Sequence, residues 1–250
     1  MNLGFLNRLR LEELQLLFQK TNFDWKQKKV LEIGSGTGAQ LLEFEKLGAQ
    51  CVGIDLASSN YAHAKINERV LLYDGKTIPF TDDYFDFVFS SNVLEHIQDY
   101  AGFQQEIRRV LKSDGIAIHI LPTHYWKFWT LISHYPALFK IIYQKIFSCK
   151  DISTTLAPNS AKKSIKKLAI NTLFPERHGE FGNRFTEYYY FMPKTWIKKF
   201  IGSGWKIIKV QPGGILYGGY NLLASSLNFN IRKKISRYLG SACFIFILQK

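Results

Sequence analysis

Glu32, Gly34, Gly36, Gly38 and Asp55 are the first residues in the chain whose types and spacing can do chemistry together. In "LEIGSGTG" alternate glycines follow a short apolar run, so the backbone can turn tightly and a ligand can lie against it. A helix opening behind such a loop offers unpaired N–H groups to that ligand. Gly34, Gly36 and Ala39 also satisfy G-x-G-x-x-G/A, in which Asp55 would hold a ribose hydroxyl of a dinucleotide. Glu32 weighs against a dinucleotide. Its carboxylate would face the pyrophosphate, whereas it suits a cofactor bearing a positive amino group. A glycine-rich turn of purely structural purpose is the remaining reading of the loop alone. Further along, His178 and Glu180 in "PERHGEFGNRFTE" and His124 after "IAIHILP" are the groups suited to take a proton from an acceptor hydroxyl. His119 lies mid-strand and reads as structural. Cys51, Cys149 and Cys243 are far apart and odd in number, so neither a disulfide framework nor a zinc site is expected, and no metal site at all. A reducing compartment fits them.

The elements that must position these residues alternate. "KKVLEIG" reads as a buried parallel strand, "AQLLEFEKLG" as a helix stopped by Gly48, "QCVGIDL" as a second strand and "SSNYAHAKIN" as a serine-capped helix. "RVLLYD", "DFVFSSN" and "IAIHILP" are the next strands, with the helix "YAGFQQEIRRVLKSDG" before the last of them. Such alternation makes a parallel sheet covered on both faces, with ligands at the carboxyl ends of its strands. Residues 1–27 hold an amphipathic helix with Leu9, Leu14, Leu17 and Phe18 on one side. They lack the uninterrupted apolar centre of a signal peptide.

The glycine loop and four later segments, in order, resemble class I S-adenosylmethionine-dependent methyltransferases. "VLEIGSGTG" resembles their first motif, "VGIDLA" the second, "LLYDGKTIPFTDDYFDFVFS" the third, and "SSNVLEHIQD" the segment of the branch that includes quinone-biosynthesis enzymes. "EIRRVLKSDGIAIHILP" resembles the helix and strand that follow. The likeness covers about Lys28 to Pro122. It implies an α/β fold with a doubly wound, mostly parallel seven-stranded sheet whose last strand is antiparallel, in one domain spanning 1–250. It implies S-adenosyl-L-methionine as cofactor, held by Glu32, Gly34, Gly36, Gly38, Asp55, Leu56, Asp74, Gly75, Asn92 and His96. Asp55 would grip the ribose hydroxyls and Asp74 would accept from the adenine amino group.

"PKTWIKKFIG" then reads as a helix, "SGWKIIKVQP" as the sixth strand and "ACFIFILQK" as the seventh. Two long connections interrupt this core, 122–182 after the fifth strand and 213–240 between the sixth and seventh, against the few residues usual for such links. Both leave the carboxyl end of a parallel strand, so both belong on the cofactor edge. The first carries nine basic residues and three acids, the second four basic residues and no acid. Of the net charge of +13, only +3 is left to the core. The basic residues and the aromatics are largely segregated, which disfavours nucleic acid. Apolar aromatic helices flanked by lysines suit a lipid-linked acceptor or an anionic membrane surface. "AKKSIKKLA" and "IRKKISRYL" are the basic amphipathic segments, and Ile231, Ile235, Tyr238 and Leu239 share one face of the latter. "THYWKFWTLISHYPALFKIIYQKIF" could form a pair of helices broken near Pro136 and lying over the pocket, since a through-span would separate two strands of one sheet. The expected acceptor is a small or lipid-linked molecule, with a glycan or glycolipid preferred to a prenylated quinone. A non-catalytic cofactor-binding or membrane-scaffold protein is the rival of another class. The expected location is cytoplasmic, peripheral on the inner face of the membrane, with the oligomeric state open.

Overall fold

Val30, Leu31, Glu32 and Ile33 are all buried, as only a strand covered on both faces requires. This strand, β1 (Lys29–Ile33), is central in a seven-stranded sheet of the computed structural model, which describes residues 3–59, 68–147, 175, 177–219 and 227–250. The other strands are β2 (Gln50–Leu56), β3 (Val70–Tyr73), β4 (Phe85–Ser91), β5 (Leu111–Pro122), β6 (Lys206–Pro212) and β7 (Cys243–Gln249), in the order β3-β2-β1-β4-β5-β7-β6. Strands β1 to β5 pair in parallel, and β7 runs antiparallel between β5 and β6. The order reverses beside β1, between β2 and β4, which places the ligand crevice at the carboxyl end of β1. This is the expected architecture.

Helix α1 (Leu3–Lys20) seals one side, with Leu9, Leu14 and Leu17 fully buried against a cluster that includes Trp25, Phe44 and Phe89. Leu31, Val88, Ile107 and Trp196 belong to the cluster on the other side. Helix α2 (Ala39–Lys46) follows the glycine loop, and α3 (Tyr100–Val110) is capped by the Asp99 carboxylate, which accepts from the Gly102 N–H at 3.0 Å. The sequence pattern carried α3 through "LKSDG". The structure ends it at Val110 because Leu111 already pairs with Phe85 and β5 begins there, with a register shift before Ile116 pairs with Phe87.

Helix α4 (His124–Phe147) is continuous through Pro136. The expected break is absent: proline removes one backbone bond and strains one turn, and the helical residues on both sides outweigh that local cost. After the loop at 177–186 come α5 (Glu187–Tyr190), α6 (Pro193–Gly202) with proline in its first turn, and α7 (Phe229–Leu239) before β7. The helix expected over "SSNYAHAKIN" lies mostly outside the described residues, and "AKKSIKKLA" and Cys149 wholly so. No helix among the described residues is long and apolar enough to cross a membrane.

Candidate active site

A cavity of about 860 Å³ opens at the carboxyl ends of β1, β2 and β4. The glycine loop forms its floor. Gly34 has φ 67°, and a Cβ there would stand 2.4 Å from Val93 Cγ2, so no larger residue fits the turn. The Asp55 carboxylate closes the loop, accepting from the Gly36 N–H at 2.6 Å and the Leu56 N–H at 2.7 Å. Each oxygen keeps lone pairs for a hydroxyl ligand. Gly34, Gly36, Asp55, Leu56, Gly75, Asn92 and His96 all line the cavity. Asn92 holds the left-handed φ of 55° that asparagine tolerates.

Three expected cofactor residues sit elsewhere. Glu32 is buried beneath the loop, only 1 % exposed, with Oε2 unpartnered, and burial followed by the nearby Asp55 raises its pKa well above the carboxylate range. Gly38 caps α2 behind the cavity wall. Asp74 does not line the cavity either. Its Oδ1 accepts from the Lys76 and Thr77 N–H groups in an exposed turn, and those bonds hold its pKa low. The neighbouring Tyr73 and Gly75 take the wall position.

Of the three proton acceptors expected, the cavity receives one. His178 lies on its wall, its ring tilted against Trp126 at 4.6 Å and 4.9 Å from the His96 ring. Glu187, wholly buried, accepts from the backbone N–H of His178 at 2.7 Å and of Gly179 at 2.6 Å, and also pairs with Lys127 of α4. That anchoring fixes the loop. Burial, then His96, pushes His178 down to about 3, so the ring is a neutral base at physiological pH, although its side chain keeps 36 % of its surface open to the cavity. Glu180 does not reach the cavity: its carboxylate pairs with Arg177 at 3.3 Å and its N–H donates to the Glu95 carbonyl. His124 is also outside, against Tyr125 and Tyr188, because the cavity side of α4 is the side of Trp126 and Thr130.

Sequence reasoning missed four residues. Glu95 is fully buried with both carboxylate oxygens unpartnered, and burial pushes it up to about 8. Its Oε1 lies 3.8 Å from Nε2 of both His96 and His178. The three atoms fall within 4.8 Å of one another, a spacing that could hold a cation. "LEH" held the signal, but its burial did not show. Arg10 of α1, Trp126 of α4 and Tyr217 complete the wall. Arg10 donates to Glu13 at 2.6 Å and to the Tyr217 hydroxyl at 3.0 Å, and Tyr217 donates to Glu13 at 3.0 Å. Nothing in the local pattern of these segments marks them as neighbours.

The methyltransferase-domain family matches residues 31–119, the segment that carries the glycine loop, Asp55 and Glu95. Residues 31–119 are therefore similar to a methyltransferase domain. Its relatives include a demethylmenaquinone methyltransferase of Corynebacterium efficiens, 37 % identical over 35 % of this chain and 39 % of that one. Another is a ubiquinone biosynthesis O-methyltransferase of a Bradyrhizobium species, 34 % identical over 41 % of this chain and 43 % of that one. The chain therefore spans about two fifths of the length of the curated relatives it matches. The fold extends further. A SAM-dependent methyltransferase from Aquifex aeolicus superposes with TM-score 0.52 at 15 % identity, covering 96 % of this chain and 91 % of that one. One from Mesorhizobium loti gives 0.55 at 15 %, covering 95 % and 98 %. The matched segment ends at His119, so Trp126, His178 and Tyr217 lie beyond it. S-adenosylmethionine fits the cavity: Asp55 would meet its hydroxyls, the glycine loop admits close approach, and the buried Glu32 carboxyl lies beneath the loop with Oε2 unpartnered.

Proposed function

We propose that the chain is an S-adenosylmethionine-dependent methyltransferase acting on a hydroxyl of a lipid-linked acceptor. The Asp55 carboxylate on the Gly36 N–H, inside a family match that spans the glycine loop, carries the cofactor half of this reading. Bound S-adenosylmethionine supplies an electrophilic methyl group on a sulfonium. Asp55 would hold the ribose and Arg10 the methionyl carboxylate. Glu32 lies buried beneath the loop, and none of the three would touch the transferred methyl. An in-line displacement asks the protein chiefly for positioning. His178 is the group that takes the hydroxyl proton as the new O–CH₃ bond forms. Glu95 Oε1, 3.8 Å from Nε2 of His178, would favour the resulting imidazolium electrostatically, and the exposed side of the ring would pass its proton on to solvent. A scaffold without catalysis would have no use for this paired arrangement, and that supports the enzymatic reading.

The acceptor reading rests on α4, whose cavity side is Trp126 and Thr130 and whose surroundings are basic and aromatic. A glycan or glycolipid is the first choice, at the cytoplasmic face of a membrane. A prenylated quinone is the second, favoured by what the relatives in the matched segment are named for. Calorimetry with S-adenosylhomocysteine should show binding that Asp55→Ala abolishes, and no binding by the intact chain overturns the cofactor assignment. Labelled-methyl transfer into a lipid extract should then label the glycolipid fraction. Label confined to prenylquinones selects the second acceptor.

A further inference from the structure

Helix α4 has two faces of opposite use. Trp126 and Thr130 look into the cavity, and Lys127 and His134 are buried beside them. The other side carries Tyr125, Phe128, Ile132, Tyr135, Phe139 and Tyr143, spaced three or four residues apart, all exposed, Phe139 to 71 %. A helix laid on a globular core turns such a stripe inward. Helix α7 shows the same inversion. Its buried residues are Arg232 and Ser236, which donate to backbone carbonyls of Leu216, Leu227 and Gly214. Ile231, Tyr238 and Leu239 point outward, Tyr238 to 88 %. The two helices meet. The Trp129 indole donates to the Leu239 carbonyl at 3.0 Å, and Gly240, at φ 88°, passes so close to the Tyr125 ring that a Cβ would stand 2.3 Å from it. One apolar, aromatic surface therefore runs from α4 onto α7. An exposed patch of this size on a folded chain marks an interaction site.

Charge complementarity selects the occupant. Lys234 and Arg237 are exposed on the outward side of α7, and neither α4 nor α7 contains an Asp or Glu. Lys233 is already paired with Glu12 at 2.6 Å and adds nothing to the outer field. A second copy of the chain in a two-fold contact would bring these cations against their own images. Aromatic rings at headgroup depth with basic side chains among them are the chemistry of a helix lying in the interface of an anionic bilayer. We infer that the outward faces of α4 and α7 are a docking surface for an anionic phospholipid bilayer. Helix α4 is then the wall between lipid and cavity, one helix diameter of about 10–12 Å thick. A lipid-linked acceptor has that distance to cross to reach Trp126. The surface stands whether or not the methyl-transfer reading holds, since binding to vesicles needs no cofactor.

The test is co-sedimentation of the full chain with phosphatidylcholine vesicles and with vesicles containing phosphatidylglycerol. The chain should sediment with the anionic vesicles, far less with phosphatidylcholine alone, and be released as salt rises. Lys234→Glu with Arg237→Glu should weaken anionic binding about 30-fold, at roughly 1 kcal/mol per basic residue near the surface. Phe128→Glu with Phe139→Glu should lose binding to both. Unchanged melting temperatures show that these surface variants still fold. A wild type that stays in solution with both vesicles overturns the inference, as do variants that sediment like the wild type. So does a dimer in analytical ultracentrifugation that the Phe128/Phe139 variant dissociates, because the patch is then covered by a second copy.

Discussion

At the scale of single residues, the carboxyl of Glu95 is costly to bury. It is fully buried, both oxygens lack partners, and its pKa stands at about 8 rather than the ordinary carboxylate value. Because the folded pKa is raised, the folded state holds a proton that the unfolded chain releases near its own lower pKa. Stability from this group is full below that lower value and is lost as pH rises through about 8. His178 works the other way. Its folded pKa is lowered to about 3, so it costs stability only at pH values below the ordinary histidine range. From about pH 6.5 to 8 the slope therefore comes from Glu95 together with Glu32, which burial raises in the same direction. Thermal melting of the wild type should fall across that window, and Glu95→Gln, which mimics the protonated form, should remove the Glu95 part of the slope. An identical slope in both proteins refutes the assignment. In turnover, His178→Ala should cost about 10²-fold at saturating acceptor. Unchanged kcat removes it as the base.

At the scale of elements, the buried pair of Lys127 and Glu187 joins α4 to α5 and to the loop that presents His178. Lys127→Met leaves the Glu187 carboxylate buried without its counter-ion, which should destabilise the fold by about 3–5 kcal/mol. It should also lower turnover while cofactor affinity, measured by calorimetry, stays put. A variant that melts like the wild type shows that the pair holds nothing. The pair was not legible in the sequence, because Lys127 and Glu187 are far apart along the chain and each looks like an ordinary surface charge. What was legible was local. The strand–helix alternation, the Gly34 turn and the proline start of α6 depend on neighbouring residues, and the structure has them. Periodicity located the apolar side of α7 but not its direction: Arg232 turns inward because carbonyls of Leu216 and Leu227 await its guanidinium. Asp74 was assigned by position in a motif, and two backbone N–H groups in its own turn hold it away from the cavity. Glu95 shows the same limit, since its burial comes from elements packed around it and not from "LEH" itself.

At the scale of the whole molecule, the cavity is assembled from parts distant in sequence: Arg10 from α1, Gly36 from the loop after β1, Asp55 from β2, Trp126 from α4 and Tyr217 from the last connection. A ligand that touches several of these binds the folded chain and has no comparable site in the unfolded one. Its binding free energy is therefore added to folding stability. S-adenosylhomocysteine at one hundred times its Kd should add about 2.7 kcal/mol, which for a chain of this size raises Tm by about 5–10 °C. Asp55→Ala should melt lower without ligand, because the Gly36 and Leu56 N–H groups lose their acceptor, and should show no shift with it. The outcome also tests where the cofactor lies. Phe139→Glu, on the outward face of α4, should keep the full shift. If Phe139→Glu loses the shift while Asp55→Ala retains it, the cofactor does not occupy the crevice at β1, and the inner and outer faces of α4 have been assigned the wrong way round.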